Sequence, residues 1–271
     1  MQDKDGARPA ALRLGARRGL DRRQLLRGAA AGGLLAAAAC GTDRPSAPRP
    51  ALLAEAAAVQ ATPASGATGT SGARFYARGD RAGSDVAITF HGGGDRRLAE
   101  AALRQLERAQ APCTVFAIGQ WLEDEPGLAA RILAGGHELG NHTYTHPDTS
   151  ALSRAQLRRE IARCKDVLVR QTGSPGVGVR APENDLPVAK VELAAADAGY
   201  SAVVGWDIDP QDFFDPGADL VTRRVLAQVR GGSIVFLHLG HYGTVDALPM
   251  ILDGLRSRGL RAVTTSHLLE L

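Results

Sequence analysis

The stretch HELGNHTYTH, residues 137–146, places two histidines four positions apart, His142 and His146, at the end of a short strand-like run. Side chains four residues apart lie on the same face of a helical turn, where two imidazoles can reach one metal ion. The spacing alone is moderately specific, because solvated helix ends carry it about as often. The stretch therefore predicts a metal site at the end of a strand, and the surrounding sequence has to support it.

Strand-like and helical segments alternate on both sides of this stretch. Seven short apolar runs, from VAITF at residues 86–90 to RAVTT at residues 261–265, are separated by segments with helical spacing of apolar residues. This alternation predicts a parallel α/β domain, arranged either as an open sheet or as a barrel. The spacing G-x-G-x-x-G does not follow the first run, which disfavours an open sheet that binds nucleotides.

Titratable or cationic side chains stand at the carboxyl ends of five of the seven runs. In a β/α barrel these ends meet on one face and form the active site. Each residue alone also fits a structural role, such as a polar strand end, an ion-pair partner or a turn beside a proline. Their coincidence on five strands predicts a single site. Its residues are His91, His142, His146, Arg180, Asp209, Asp212 and His238.

Taken together, these residues resemble the polysaccharide deacetylase family, the NodB-homology domain of carbohydrate esterase family 4. The resemblance covers residues 86–271 and is closest at GNHTYTH, which matches the family's H-[ST]-x-x-H motif. VRAPEN, WDIDPQDFF and IVFLHLGH match later motifs of the family wholly or in part. The resemblance implies an irregular seven-stranded β/α barrel. It also implies metal-dependent hydrolysis of acetyl groups on a polysaccharide or peptidoglycan.

The resemblance also implies a role for individual residues. His142 and His146 would hold a divalent metal, often zinc in this family, and His238 would be the acid that protonates the leaving group. Asp212 would orient His238, and Arg180 would pair with the base or with a neighbouring carboxylate. The residues implied to contact the substrate are Phe236, Leu237 and Glu183.

The first motif departs from the family pattern T-F-D-D-G. His91 stands at the place of the base aspartate, and Gly92 at the place of the metal-binding aspartate. A catalytic zinc normally takes three protein ligands, so His91 or Asp95 would have to complete the site. We place His91 first, because Asp95 also fits the N-cap of the following helix. If His91 is a ligand, Asp95 or a metal-bound hydroxide would be left as the base.

Two functions from different classes remain open. One is a hydrolase with a rebuilt first motif; the other is an inactive domain that binds glycan or peptidoglycan at the cell surface. We favour the hydrolase, because a decayed enzyme would have little reason to keep the remaining site residues together. The low aromatic content, 4%, also argues against a pure lectin.

The first 40 residues predict an export signal. Arg22 and Arg23 precede an uncharged stretch, residues 28–39, which ends at Cys40. This pattern is typical of a twin-arginine signal peptide with a lipobox, so we expect lipidation of Cys40 and anchoring to the outer face of the cytoplasmic membrane. Cleavage without lipidation, or an alanine-rich surface helix, is the alternative. Residues 41–72 predict a disordered linker rich in Ala, Pro, Ser, Thr and Gly, and residues 73–271 the catalytic domain.

The distribution of charge excludes other classes of protein. Residues 1–72 contain 10 basic and 5 acidic residues, whereas residues 73–271 contain 22 and 24. A near-neutral domain does not indicate nucleic-acid binding, and the sequence contains no apolar run of about 18 residues that would span a membrane. Cys113 and Cys164 lie in an apolar and a helical run, where we expect buried thiols rather than a disulfide.

Overall fold

A computed structural model describes residues 72–182 and 187–271. The export signal, the lipidation site Cys40, the linker up to residue 71 and the predicted substrate contact Glu183 therefore lie outside the described residues. The domain that is described has the predicted α/β architecture, and its sheet pairings are parallel. None of the described helices is both long enough and apolar enough to cross a membrane.

Strand β2 is the centre of the sheet. It pairs with β3 on one edge and β6 on the other, β4 continues the sheet beyond β3, and β7 pairs with the first residues of β2. A separate pair is formed by β5 and β1, of which β1 was not predicted. The strands are β1 (Arg74–Tyr76), β2 (Asp85–Gly92), β3 (Thr114–Ala117), β4 (Glu138–Asn141), β5 (Ala202–Val204), β6 (Ile234–His238) and β7 (Arg261–Val263).

Isolated parallel bridges continue this sheet into an irregular barrel. Val179 bridges both Asn141 of β4 and Val203 of β5, and Ile208 bridges Val235 of β6. The run GVGVR, predicted as the fourth strand, is reduced to the bridge at Val179. Its glycines explain this, because glycine has no side chain to pack and weakens a strand.

Helices cover the outside of the barrel. The predicted capping box of α4 is present: Ser153 accepts a hydrogen bond from the Gln156 N–H, and the Gln156 side chain accepts one from the Ser153 N–H. The helices are α1 (Arg96–Arg108), α2 (Gly119–Asp124), α3 (Leu128–Ala134), α4 (Arg154–Thr172), α5 (Ala189–Asp197), α6 (Ala218–Gln228), α7 (Tyr242–Arg256) and α8 (Thr265–Leu269). The short helices α2 and α8 were not predicted.

Alternation along the strands decides which side chains reach the barrel interior. On β2, Val86, Ile88 and Phe90 pack in the main core against the helices, so Ala87, Thr89 and His91 point inward. Strand β6 follows the same rule, with Val235 and Leu237 in the main core. The two inward columns end at the same mouth of the barrel, where residue 91 is in register with residue 238. Cys113 and Cys164 are buried free thiols, as expected.

Candidate metal centre and active site

Three histidines meet at the carboxyl ends of β2 and β4. One ligand nitrogen from each of His91, His142 and His146 lies within 4.8 Å of the other two. The ring centroids are 4.6 Å apart for His91 and His142, 4.7 Å for His91 and His146, and 4.9 Å for His142 and His146. The cluster therefore contains the histidine pair of the second motif together with His91, the residue that the sequence favoured over Asp95 as the third ligand.

The loop after β4 brings His146 to this cluster. No helix forms between residues 142 and 152, so the helical turn inferred from the spacing of four is wrong. His146 instead has a left-handed backbone conformation with φ of 58°, and Thr143 has φ of 66°. The Glu160 carboxylate on α4 holds the loop by accepting the Tyr144 and Thr145 N–H groups at 3.1 and 2.8 Å. The two imidazoles converge through a pinned loop rather than through helical periodicity.

His142 is oriented for ligation by a backbone hydrogen bond. Its Nδ1 lies 2.7 Å from the carbonyl oxygen of Arg180. A carbonyl can only accept, so Nδ1 carries the proton and Nε2 keeps its lone pair. This Nε2 atom is buried and has no hydrogen-bond partner among the described residues. Such a buried orphan atom costs about 1–3 kcal/mol, and a metal ion at the cluster would remove that cost.

Burial keeps the cluster in the form that binds metal. It lowers the pKa of both His91 and His142 well below the usual histidine value, and the neighbouring histidines lower it further. Neutral imidazole is the ligating form of histidine. Three neutral imidazoles are a ligand set found in catalytic zinc sites, so these residues fit a divalent metal.

Close packing of β2 against β3 leaves no room for a ligand side chain at position 92. A Cβ atom at this position would lie 2.7 Å from Val115 Cγ1 and 2.8 Å from Ala117 Cα on β3. An aspartate at position 92 therefore cannot fit unless β2 and β3 move apart. Position 91, which faces the interior, is left to supply the ligand.

Asp95 lies outside the histidine cluster. It is exposed and is the N-cap of α1, accepting the Arg97 N–H at 2.7 Å and the Leu98 N–H at 3.4 Å. The helix cap was one of its two expected roles, and its carboxylate is occupied there. The alternative that Asp95 supplies the third ligand or the base has no support in this geometry.

Asp212 holds His238 in a defined orientation. The Asp212 carboxylate is fully buried, and one oxygen lies 2.8 Å from His238 Nδ1. The other oxygen accepts the His238 backbone N–H at 2.8 Å and the Thr244 hydroxyl. Nδ1 therefore carries a proton toward the carboxylate. The His238 ring faces the cluster, with its centroid 5.2 Å from that of His91.

Arg180 is placed differently from the expectation. It is fully buried, and it donates to the Val204 carbonyl, the Gly205 carbonyl and the Thr89 hydroxyl at 3.1, 2.9 and 2.8 Å. No carboxylate in the described part of the chain forms an ion pair with it, so the expected carboxylate partner is wrong. The reason is the changed first motif, because His91 and Gly92 at the carboxyl end of β2 offer no carboxylate. Burial without a counter-charge lowers the pKa of Arg180 to about 9.

The histidines open into a cavity of about 460 Å³. Its apolar wall includes Trp206 and Phe236, whose rings stack with centroids 4.1 Å apart. The complete lining is His91, His142, His146, Ala181, Trp206, Asp209, Phe213, Phe236 and His238. Leu237, expected beside Phe236 in this wall, packs instead in the main core, because neighbouring residues of β6 point to opposite faces.

Asp209 is the carboxylate that lines this cavity in the described part of the chain. Its Oδ1 accepts the Gln211 N–H at 2.7 Å, which is the turn role expected beside Pro210. Burial raises the pKa of Asp209 above the usual aspartate value. Asp209 therefore combines a turn role with a place in the site.

Thr89 was not identified from the sequence, although its hydroxyl accepts a hydrogen bond from Arg180. The alternation of side chains along β2 would have identified it, since Thr89 lies two residues before His91 and faces the same side of the strand.

Known proteins resemble this chain over most of the described domain. The family profile for polysaccharide deacetylases matches residues 78–203. A chitooligosaccharide deacetylase of Sinorhizobium fredii is 32% identical over 217 residues, which cover 72% of this chain and 97% of that protein. A peptidoglycan-N-acetylglucosamine deacetylase of Bacillus cereus is 35% identical over 189 residues, which cover 68% of this chain and 88% of that protein.

Comparison with solved structures indicates the same family. The crystal structure of the Bc1960 peptidoglycan N-acetylglucosamine deacetylase superposes with a TM-score of 0.68 at 28% identity, covering 72% of this chain and 92% of that one. The fold is thus shared with a deacetylase of known structure. The chain belongs to the polysaccharide deacetylase family.

Proposed function

We propose that this protein is a metal-dependent deacetylase that removes N-acetyl groups from a chitooligosaccharide- or peptidoglycan-type glycan. One observation carries the proposal: three histidines that can share a metal line the same cavity as His238, whose orientation is set by a buried carboxylate. The similarity to chitooligosaccharide and peptidoglycan deacetylases supports this class of substrate.

Zinc is the metal that we propose for the cluster of His91, His142 and His146. Three imidazoles with one open position suit zinc, although imidazole also binds nickel and other transition metals. When bound, such a metal polarises the acyl carbonyl and makes a water molecule more acidic. The protein contributes the tautomer of His142, which the Arg180 carbonyl sets through Nδ1.

His238 is the acid in this proposal. With Nδ1 held by Asp212, its Nε2 is the atom that can present a proton to the leaving nitrogen of the substrate. Asp212 also fixes the ring orientation, because its buried carboxylate is a charge-assisted acceptor for Nδ1–H and for the His238 backbone N–H.

Asp209 is the base that we propose. His91 uses its lone pair as a ligand, and Asp95 is committed to the cap of α1. Asp209 lines the cavity, and its raised pKa makes it a better proton acceptor than an exposed aspartate. The stacked rings of Phe236 and Trp206 provide an apolar wall that suits the methyl of an acetyl group.

Export and anchoring are proposed from the sequence alone. The twin-arginine pattern and Cys40 support a location on the outer face of the cytoplasmic membrane, where a cell-wall glycan is accessible. Cys40→Ser should move the protein from the membrane fraction to the soluble exported fraction. A variant that stays membrane-bound, or a wild-type protein that stays in the cytosol, would contradict this localisation.

Acetate release is the decisive test of activity. The full chain is incubated with tetra-N-acetyl-chitotetraose or with acetylated peptidoglycan, after loading with zinc, cobalt or nickel. We expect release that requires metal and that is abolished by His142→Ala. If no metal supports release from either glycan while the glycan still binds, the protein is an inactive glycan-binding domain instead.

A further inference from the structure

The loop that leads from His142 to His146 has a strained backbone. Thr143 and His146 have φ of 66° and 58°, in the left-handed region that residues other than glycine seldom adopt. Thr143 is β-branched, which makes its conformation a clear outlier. Strained backbone persists only where the surrounding structure holds it in place. The contacts around this loop therefore decide whether His146 stays beside His142.

One side of the loop is held by backbone groups and by a buried amide. The carbonyls of Thr143 and Tyr144 accept the N–H groups of the first two residues of α2, Gly119 and Gln120, each at 3.0 Å. The Asn141 side chain, which is fully buried, accepts the Thr143 N–H at 2.9 Å. These three bonds fix the first half of the loop.

Glu160 holds the second half of the loop, next to His146. One carboxylate oxygen, Oε2, accepts the Tyr144 N–H at 3.1 Å, the Thr145 N–H at 2.8 Å and the Thr145 hydroxyl at 3.1 Å. Bonds from backbone N–H groups to a carboxylate are charge-assisted and stronger than those to a neutral acceptor. Thr145 is joined to His146 by one peptide bond, so these contacts fix the backbone from which the His146 side chain projects.

Helix α4 gives the Glu160 carboxylate a fixed position. The neighbouring Ile161 is fully buried, and its carbonyl accepts the Asn141 side-chain N–H at 2.8 Å. Asn141 ends β4 and directly precedes His142. The helix therefore supports both the strand end that carries His142 and the loop that carries His146.

We propose that Glu160 is a positioning residue of the metal centre, which sets the metal affinity by holding His146 in the ligating conformation. This inference rests on the metal site of the proposed function. A protein whose binding conformation is only partly populated binds with an affinity reduced by that fraction. If the loop without Glu160 were in the ligating conformation in about one molecule in ten, zinc would bind about 10-fold more weakly. Removing the groups that orient metal ligands typically weakens metal binding by about 10- to 100-fold.

The test is the zinc affinity of Glu160 variants, measured by competition of the metal-free full chain with a chromophoric chelator. Glu160→Ala should raise the zinc dissociation constant roughly 10- to 100-fold. Glu160→Gln keeps an oxygen at the same reach and should stay within about threefold of the wild-type value. Glu160→Asp keeps the charge but is one methylene shorter, so it should weaken zinc binding in the same direction as alanine. Comparing these variants separates the position of the acceptor from its charge.

A double-mutant cycle tests whether the effect passes through His146. His146→Ala removes a ligand and weakens zinc binding by itself. In that background Glu160→Ala should change the zinc dissociation constant less than about twofold, because the ligand that it positions is gone. Glu107→Ala is the matched control, since it removes a helix glutamate that is ion-paired with Arg131 near the end of α1. It should leave zinc affinity unchanged even where it lowers the melting temperature.

The inference is overturned if Glu160→Ala keeps the wild-type zinc affinity, or if it weakens binding equally with and without His146. It is also overturned if Glu160→Gln binds as weakly as Glu160→Ala while Glu160→Asp binds like the wild type, because charge would then be the cause. If circular dichroism shows that the alanine variant does not fold, the aspartate variant takes its place in each comparison. A wild type that binds zinc in this Glu160-dependent way yet releases no acetate would refute only the deacetylase function. A wild type that binds neither zinc, cobalt nor nickel would refute both.

Discussion

Replacing Asp212 with asparagine changes one oxygen of the buried carboxylate that supports His238 into an NH₂ group. One Asp212 oxygen accepts two donors, the His238 backbone N–H and the Thr244 hydroxyl, and the other accepts His238 Nδ1. An asparagine can satisfy the first two only by turning its oxygen toward them. Its NH₂ group then faces Nδ1, so the ring has to present a lone pair there and move its proton to Nε2.

The size of the effect follows from this geometry. The protonated ring would place Nδ1–H against the amide NH₂, so the form that donates a proton loses its partner. We expect kcat to fall by roughly 10²- to 10⁴-fold, the range for a lost acid or a wrong tautomer. The neutral ring keeps a hydrogen bond to the amide, but a charged acceptor is exchanged for a neutral group. The free energy of unfolding should therefore fall by only about 1 kcal/mol, which a typical domain tolerates. Metal content should not change, because Asp212 does not touch the three-histidine cluster.

The assay is acetate release at saturating tetrasaccharide by Asp212→Asn, His238→Ala and the double variant. The two residues act as one unit, so the double variant should be barely slower than either single variant. Asp215→Asn is the control, because it changes an exposed carboxylate that contacts a different histidine, His241. It should leave kcat within about threefold of the wild-type value. An Asp212→Asn enzyme with wild-type kcat, or effects of the two single substitutions that simply multiply, would remove this pair from the mechanism.

Four further outcomes test the site. His91→Ala should lose bound zinc, whereas Asp95→Ala should keep it, as measured by metal analysis. Because Asp95→Ala removes the N-cap of α1, its free energy of unfolding in urea should fall by about 1 kcal/mol. Gly92→Asp should destabilise the domain by about 1–3 kcal/mol rather than improve activity, because its Cβ meets β3. Asp209→Asn should lower kcat about 10²-fold, because it removes the proposed base. In the wild type, turnover should fall as the pH drops through the raised pKa of Asp209, and this fall should be absent in the variant. The folded pKa of His142 lies below its unfolded value of about 6.5, so only the unfolded state gains this proton as the pH falls below 6.5. The metal-free protein should therefore melt at a lower temperature at pH 5.5 than at pH 7.5, and equal melting temperatures would contradict this burial.

Much of the fold could be predicted because its signals are local. Buried parallel strands appear as short apolar runs, and the capping box at Ser153 marks the start of α4. The convergence of His91, His142 and His238 was also predictable, since all three stand at the carboxyl ends of strands in one barrel. The positions of Phe236 and Leu237 also follow from strand alternation: with His238 facing inward, Phe236 faces inward and Leu237 outward.

Other features depend on contacts between distant segments. The approach of His146 relies on Glu160, which belongs to a helix that follows the loop, so spacing alone suggested a helical turn that does not exist. The partners of Arg180 are two backbone carbonyls and the Thr89 hydroxyl, and no sequence pattern specifies which carbonyls an arginine will meet. Resemblance to the family supplied a carboxylate partner that the altered first motif had removed.

The substitutions in the first motif are consistent with one another and not with simple decay. Gly92 lets β2 approach β3 closely, and a ligand from position 92 is thereby excluded. His91 points inward by strand parity and completes a three-histidine cluster, in which a bound metal ion would pair the buried Nε2 atom of His142. His91 and Gly92 replace the two aspartates of the family's first motif and so remove negative charge from the site, and no carboxylate pairs with buried Arg180 in the described part of the chain. Such a pocket would attract negative charge that develops on an acyl oxygen more strongly than the family pattern does. With both aspartates of the first motif absent, Asp209 is the carboxylate that lines the cavity in the described part of the chain, which is why we propose it as the base.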